Sequence, residues 1–404
     1  MNNTSYEPLI FSGAKCSLKK SIEKNIIGIF ESYCYNEISL PIAHESGIYS
    51  ADSAGFEQGD YLDCGTFCIR ADLTTPVAKA LSTELKDCVV PERVYCTGNV
   101  YKNKSYAGSD LGEISLLGIE LAGESNPKAD AEVISVMINS LLGIGLTEFT
   151  ISISNAAFLA SLANDLELDL KELKSVLSKN NAQELEDYLI QNNISNEHKQ
   201  LIMSLPTLFG DLNIYDEIDM SILSEKSKNS LASIKRIYKL LCEYDMEKYI
   251  SVDLSLSDFA EYYTGLIFKG TVNKTEDFTI LSGGRCDMLC KEFGRNIPLV
   301  GGYLEISKIT ELLYSDSDTD SKLLPIAVVA SDIPKLAYKV SFGLRAQGLK
   351  VEDFVSGASM TEAIEYGEEK GITIAIWVNE ETAVMRNLKT GEMSETSLDK
   401  LLNN

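Results

Sequence analysis

The 404-residue sequence predicts an α+β protein: an antiparallel sheet flanked by helices, a helical insertion, and a small α/β domain at the C-terminal end. Three observations carry that expectation. The stretch from Arg93 to Glu124, RVYCTGNVYKNKSYAGSDLGEISLLGIELAGE, sets apolar alternation on either side of a polar, glycine-containing loop from Lys102 to Gly112, as in a long antiparallel hairpin. From Asn155 to Tyr249 apolar residues recur at helical spacing between charged ones, with few Pro and Gly. From 324 onward strand-like and helix-like runs alternate in a βαβαβ rhythm.

Taken in order, residues 17–34 place Ile22, Ile26, Ile29 and Phe30 on one face of an amphipathic helix. NEISLPIAHE follows as a strand, and Pro41 within it fits an edge or interface position. A loop from Gly47 to Asp60 leads to RADLTTPVAKAL, where Thr74, Thr75 and Pro76 sit at a helix start. After the hairpin the pattern gives a helix over Ala129 to Leu142 and a strand near Phe149 to Ile153. The helical stretch reads as an insertion with a solvated charged face. VDLSLSDFAEYYTGLIFKG, ILSGGRCDMLCKEFG and IPLVGGYLEISKITELL resume the first fold, and the acidic run SDSDTDSK is a linker. The expected division is therefore 1–154 with 250–314 as the core, 155–249 as the insertion, 315–322 as the linker and 323–404 as the α/β domain.

Composition narrows the function classes. The formal net charge is −24, and residues 325–404 alone hold 8 basic against 12 acidic residues. Nucleic-acid binding draws on clustered Lys and Arg, so no nucleic-acid partner is expected. No apolar run is long enough to span a bilayer and no secretory signal is visible, so a cytoplasmic protein is expected. Nine cysteines include the pairs Cys64/Cys68 and Cys286/Cys290, but only His44 and His198 could join them and no zinc spacing is completed. Reduced thiols, no metal and no cofactor are expected.

At this point the residues resemble a known family. Tyr101-Lys102, the loop, and Leu116-Leu117-Gly118-Ile119-Glu120 resemble the second signature motif of class II aminoacyl-tRNA synthetases in its histidyl version. Arg70 to Pro76, Asp258 to Gly265, Gly283 to Asp287 and Glu305 to Lys308 are similar to further histidyl-branch segments, and the helix, strand and Pro41 to the dimer-forming first motif. The resemblance implies a class II synthetase-like sheet with an anticodon-binding-like domain behind it. It also implies a histidine pocket in which Asp72 and Thr74 hold the α-amino group while Glu120 and Tyr263 face the imidazole, with Lys102 and Tyr262 close by.

The departures from that pattern bear on chemistry. Adenylate formation needs preorganised cations around phosphate and carboxylate. Lysines stand where the family has its first and third arginines, Lys102 and Lys308, and Asp258 reverses the charge at the second. Lysine lacks the bidentate fork of arginine, so no catalytic residues are assigned. A histidyl-synthetase frame without this chemistry resembles the regulatory subunit of ATP phosphoribosyltransferase, in segments such as ADLTTPVAKAL, GIELAG and DLSLSDFAEYYTG. That resemblance implies a homodimer within a hetero-octamer with the short-form catalytic subunit, activation of that partner, and histidine as feedback effector. The other readings are a divergent histidyl-tRNA synthetase and an amino-acid-binding paralogue with a different partner.

Overall fold

The strands Glu92–Lys102 and Gly112–Ala122 pair antiparallel along their whole length, from Glu92 opposite Ala122 to Lys102 opposite Gly112. The computed structural model describes residues 10–49, 61–102, 112–179, 181–256, 262–272, 278–314, 326–357 and 359–402. The chain forms two units, whose main parts are Lys19–Leu313 and Tyr314–Asn404.

In the larger unit the hairpin belongs to a nine-stranded sheet among the described residues. Its order is Asn36–Glu37, Glu92–Lys102, Gly112–Ala122, Leu299–Glu305, Thr279–Arg285, Leu266–Thr271, Thr150–Asn155, Ile250–Asp253, Phe209–Gly210. The register places Leu117, Ile119, Leu121, Leu281, Phe268 and Ile153 on one face, all buried. Helix Pro127–Gly143 packs against that face through the strands Gly112–Ala122 and Leu299–Glu305. Asn126 starts this helix by accepting from the backbone N–H of Lys128 and Ala129, with Pro127 at the first helical position where its missing N–H costs nothing.

A buried ion pair ties helix to sheet. Arg285 Nε donates to Asp130 Oδ1 at 2.9 Å, and its Nη1 reaches Glu124 O at 2.9 Å and Asp287 Oδ1 at 3.0 Å. Burial pushes the Asp130 pKa up to about 6 while Arg285 pulls it down. The sequence run GGR therefore serves the helix side of the sheet with its arginine and the opposite side with Gly284.

The helical middle contains Ala156–Asp165, Leu170–Ser178, Ala182–Gln191, Asn196–Ser204 and Glu225–Glu243. Each is N-capped by a side chain that accepts a backbone N–H, from Asn155, Asp169, Asn181, Ser195 and Ser224 respectively. A short strand, Phe209–Gly210, interrupts the helical reading. Ile250–Asp253 runs parallel to Thr150–Asn155, and Phe209–Gly210 pairs with it from outside. Parallel neighbours need a crossover connection, and the helices form it.

The strand expected over NEISLPIAHE is split. Asn36–Glu37 pairs parallel with Glu92–Lys102, whereas Ala43–Glu45 joins a separate three-stranded sheet with Leu62–Asp63 and Phe67–Ile69. Pro41 lies between the two pieces and cannot donate to a ladder.

The smaller unit is a five-stranded sheet in the order Val351–Asp353, Ala327–Ala330, Ile374–Val378, Thr382–Asn387, Met393–Ser397. The first three strands are parallel, as the βαβ rhythm requires, and the last two return antiparallel. Val329, Val340, Leu344, Ile376 and Val378 form its core against helix Pro334–Ala346. Helix Met360–Glu369 opens with a capping box between Ser359 and Glu362. The linker 315–322 lies outside the described residues.

Replacing Asp130 with Ala leaves the Arg285 guanidinium buried with its main partner gone. The loss should be about 3–5 kcal/mol of stability. Urea unfolding of the full chain measures it, and a midpoint equal to that of the unsubstituted protein contradicts the role given to the pair.

Candidate functional site

The face of the sheet opposite helix Pro127–Gly143 carries the expected site residues, and the register sets out its floor in rows. One row runs Val94, Glu120, Gly301, Gly284; the next runs Cys96, Gly118, Tyr303, Ser282. Large side chains lie flat over glycines. The Tyr303 ring covers Gly118, the Glu120 carboxyl covers Gly301, the Tyr263 ring covers Gly284, and the Arg70 guanidinium covers Gly98. A Cβ at Gly118 or Gly301 would collide with the group above it, so neither position accepts another residue without displacing the site.

Glu120 is the centre of this arrangement. It is 1% exposed, Tyr303 donates its O–H to Oε1 at 2.8 Å, and Oε2 has no hydrogen-bond partner among the described residues. Burial pushes its pKa up to about 8, opposed by the hydroxyls of Tyr303 and Thr74 and reinforced by Asp72. Burial thus favours the protonated carboxyl of Glu120 over the anion. Burial also pushes the Tyr303 hydroxyl well above its ordinary value.

Asp72 and Thr74 lie beside it at the start of helix Thr74–Ser82. The Asp72 carboxylate accepts from Thr75 N at 3.3 Å and from Thr75 Oγ1 at 2.8 Å, so it also fixes the first turn. Tyr49 holds the preceding backbone by accepting from Ala71 N at 2.9 Å. Tyr262 is buried in the apolar cluster formed with Leu73, Val77 and Leu81, and Tyr263 packs on the edge of that cluster. The two rings meet edge-on with centroids 4.7 Å apart. Asp72, Thr74, Glu120, Tyr262 and Tyr263 are thus on one side of the sheet, around one helix start. Lys102 ends its strand, paired with Gly112, and Asp258 lies outside the described residues.

Two cations near this face, Lys308 and Arg70, are engaged by the protein itself. Lys308 Nζ lies 2.9 Å from Glu305 Oε2 and donates to Thr279 O at 3.3 Å. Arg70 donates to Asn99 O at 2.7 Å, Leu40 O at 3.0 Å and Pro41 O at 3.2 Å. Such a face suits a small polar molecule with ring or amine donors better than a triphosphate, which needs uncommitted cations. Among the described residues no three His, Cys, Asp or Glu side chains gather as metal ligands. Cys286 and Cys290 are buried, and burial pushes the Cys290 thiol up to about 12.

Sequence reasoning did not single out Tyr303. The signal was present in VGGYLE, because alternation along a strand puts Gly301 and Tyr303 on the same face. What it lacked was the strand partner, which makes that face the one Glu120 occupies.

The histidyl-tRNA synthetase family profile matches residues 14–309, and that of the anticodon binding domain matches residues 323–404. An ATP phosphoribosyltransferase regulatory subunit from Acetivibrio thermocellus is 30% identical over 399 residues, covering 96% of this chain and 95% of its own length. The chain belongs to the family of ATP phosphoribosyltransferase regulatory subunits. Another regulatory subunit of this family, from Ruminiclostridium cellulolyticum, is 29% identical over 401 residues, covering 96% of each chain. Among solved structures, an ATP phosphoribosyltransferase regulatory subunit/histidyl-tRNA synthetase from Bacillus halodurans superposes with a TM-score of 0.78 at 25% identity, covering 93% of this chain and 98% of its own. A histidyl-tRNA synthetase from Nostoc shares the fold, with a TM-score of 0.78 at 19% identity over 99% of this chain and 98% of its own. The class II synthetase-like core and the anticodon-binding-like domain expected from the sequence are those of this regulatory-subunit family.

The Glu120 pKa gives a pH signature. In the unfolded chain Glu120 ionises near its ordinary 4.5, whereas the folded protein keeps its proton to about 8. Between those values the folded state binds the extra proton, so rising pH removes stability from the unsubstituted protein. Glu120→Gln has nothing to ionise there. Its melting temperature relative to the unsubstituted protein should therefore climb from pH 5 to pH 8 and level off above. Melting curves that stay parallel across that range contradict a buried, protonated Glu120.

Proposed function

We propose that this chain is the non-catalytic regulatory subunit of an ATP phosphoribosyltransferase, the enzyme that opens histidine biosynthesis. It activates a short-form catalytic subunit and carries histidine feedback to it. The observation that carries the reading is the combination of kinship over nearly the whole length with a site whose lysine is paired off: Lys308, at the position of a synthetase arginine, is engaged by Glu305 and Thr279. In the proposed assembly the chain forms homodimers through the segment around Pro41, and these join catalytic subunits in a cytoplasmic hetero-octamer. Histidine is the effector, with Asp72, Thr74, Lys102, Glu120, Tyr262 and Tyr263 as its contacts.

A subunit without chemistry changes a partner's rate only by favouring one of its conformations, through contacts that differ between the two. Histidine must couple to that choice, and such couplings are typically about 1–3 kcal/mol, or roughly 5- to 150-fold. Added to a short-form catalytic subunit, the chain should raise the rate of phosphoribosyl transfer from phosphoribosyl pyrophosphate to ATP, and a histidine titration should remove the gain. A rate indifferent to the chain overturns the subunit reading. A rate that rises but ignores histidine removes the sensor and leaves the activator.

The same pairing of the cations predicts that the isolated protein forms no histidyl-adenylate. Histidine-dependent pyrophosphate exchange above background would restore the synthetase alternative.

A further inference from the structure

Tyr303 occupies the place where the pocket's polar groups converge. Its hydroxyl donates to Glu120 Oε1 at 2.8 Å and has Thr74 and Cys96 within hydrogen-bonding reach. Two of those three groups, Glu120 and Thr74, are contacts proposed for histidine. The ring lies across Gly118 beside the Glu120 carboxyl, which lies across Gly301 and is 1% exposed. The phenol hydroxyl therefore occupies one oxygen of that carboxyl.

The closed arrangement is also incomplete. The Tyr303 hydroxyl meets Oε1, and Oε2 stays buried over Gly301 with no hydrogen-bond partner among the described residues. Buried polar atoms are rarely left so, and a water, an ion or a ligand group would complete this one. A ring with two nitrogens, such as imidazole, offers two polar atoms where the phenol offers one.

We propose that Tyr303 is the resident occupant of this pocket and sets its affinity: an imidazole-bearing ligand reaches Glu120 only when the phenol swings away. The gate rests on the geometry of Tyr303, Glu120, Thr74 and Gly118; the choice of histidine as ligand rests on the regulatory-subunit reading. Apparent affinity then equals the intrinsic affinity reduced by the open fraction, so removing the occupant strengthens binding even though it removes packing. A side chain that merely lines the pocket behaves oppositely, because its loss takes contacts from the ligand.

The test is calorimetric titration of histidine into the full-length protein, unsubstituted and as Tyr303→Ala and Tyr303→Phe, with thermal melts confirming that each variant folds. Tyr303→Ala should bind histidine about tenfold tighter or more, the counterpart of roughly 1.4 kcal/mol. Tyr303→Phe keeps the ring but loses the bond to Glu120, and should bind about threefold tighter or more, a gain well inside one hydrogen bond's usual range. Should Tyr303→Ala fail to fold, Tyr303→Phe decides alone. Unchanged, weaker or undetectable binding in the folded variants overturns the gate. Activation of the transferase partner by the unsubstituted chain is scored separately: its absence sinks the subunit reading whatever the calorimeter gives, and its presence beside unimproved binding sinks the gate alone.

Discussion

A side chain can lie flat on a β-sheet only where the residue beneath it has no Cβ. That constraint shapes the whole candidate site. Gly301 lets the Glu120 carboxyl settle against the sheet, and Gly118 does the same for the Tyr303 ring. Burial of the carboxyl then follows, and with it the high pKa and the need for a donor above it. The polar chemistry of this face is thus a consequence of four small residues spread over four different strands.

Part of this was legible in the sequence, for definite reasons. The hairpin announces itself because both strands alternate and the loop between them is polar, and the register follows from its symmetry. The start of helix Thr74–Ser82 is marked by Thr74, Thr75 and Pro76, and the Asp72 carboxylate holds Thr75 there by its N–H and its hydroxyl. The helical middle is readable from spacing and from its five capping residues. What stayed hidden is what depends on distant pairing. Strand Phe209–Gly210 carries almost no pattern in two residues, and only Ile250–Asp253 makes it a strand. Tyr303 takes its meaning from Glu120, 183 positions earlier in the chain. Arg285, quoted within a recognisable glycine motif, faces the other side of the sheet and serves Asp130.

The Arg285–Asp130 pair has a further role in the architecture. It sits in the strand that contributes Gly284 to the floor of the site, yet it anchors that strand to helix Pro127–Gly143 on the far face. A charged pair in such a place is specific in direction as well as in partner, since one arginine reaches a carboxylate, a carbonyl and a second carboxylate at fixed angles. The floor therefore has little freedom to slide, and an effector on this face would act on the segments lying over it more readily than on the sheet itself.

Arg70 also bears on how the rim of the sheet could pair with another strand. Among the described residues, the outward rim of strand Glu92–Lys102 is laddered by Asn36–Glu37 for two residues, and the Ile38 N–H adds a bond to Tyr95 O. Farther along, Arg70 meets the rim from both ends of its own residue: its carbonyl takes the Tyr101 N–H at 2.9 Å, and its guanidinium caps Asn99 O. Unprotected strand rims of that length are templates on which other chains add and fibres grow. A residue set in a motif associated with ligand recognition thereby occupies backbone groups on which a foreign strand would otherwise pair.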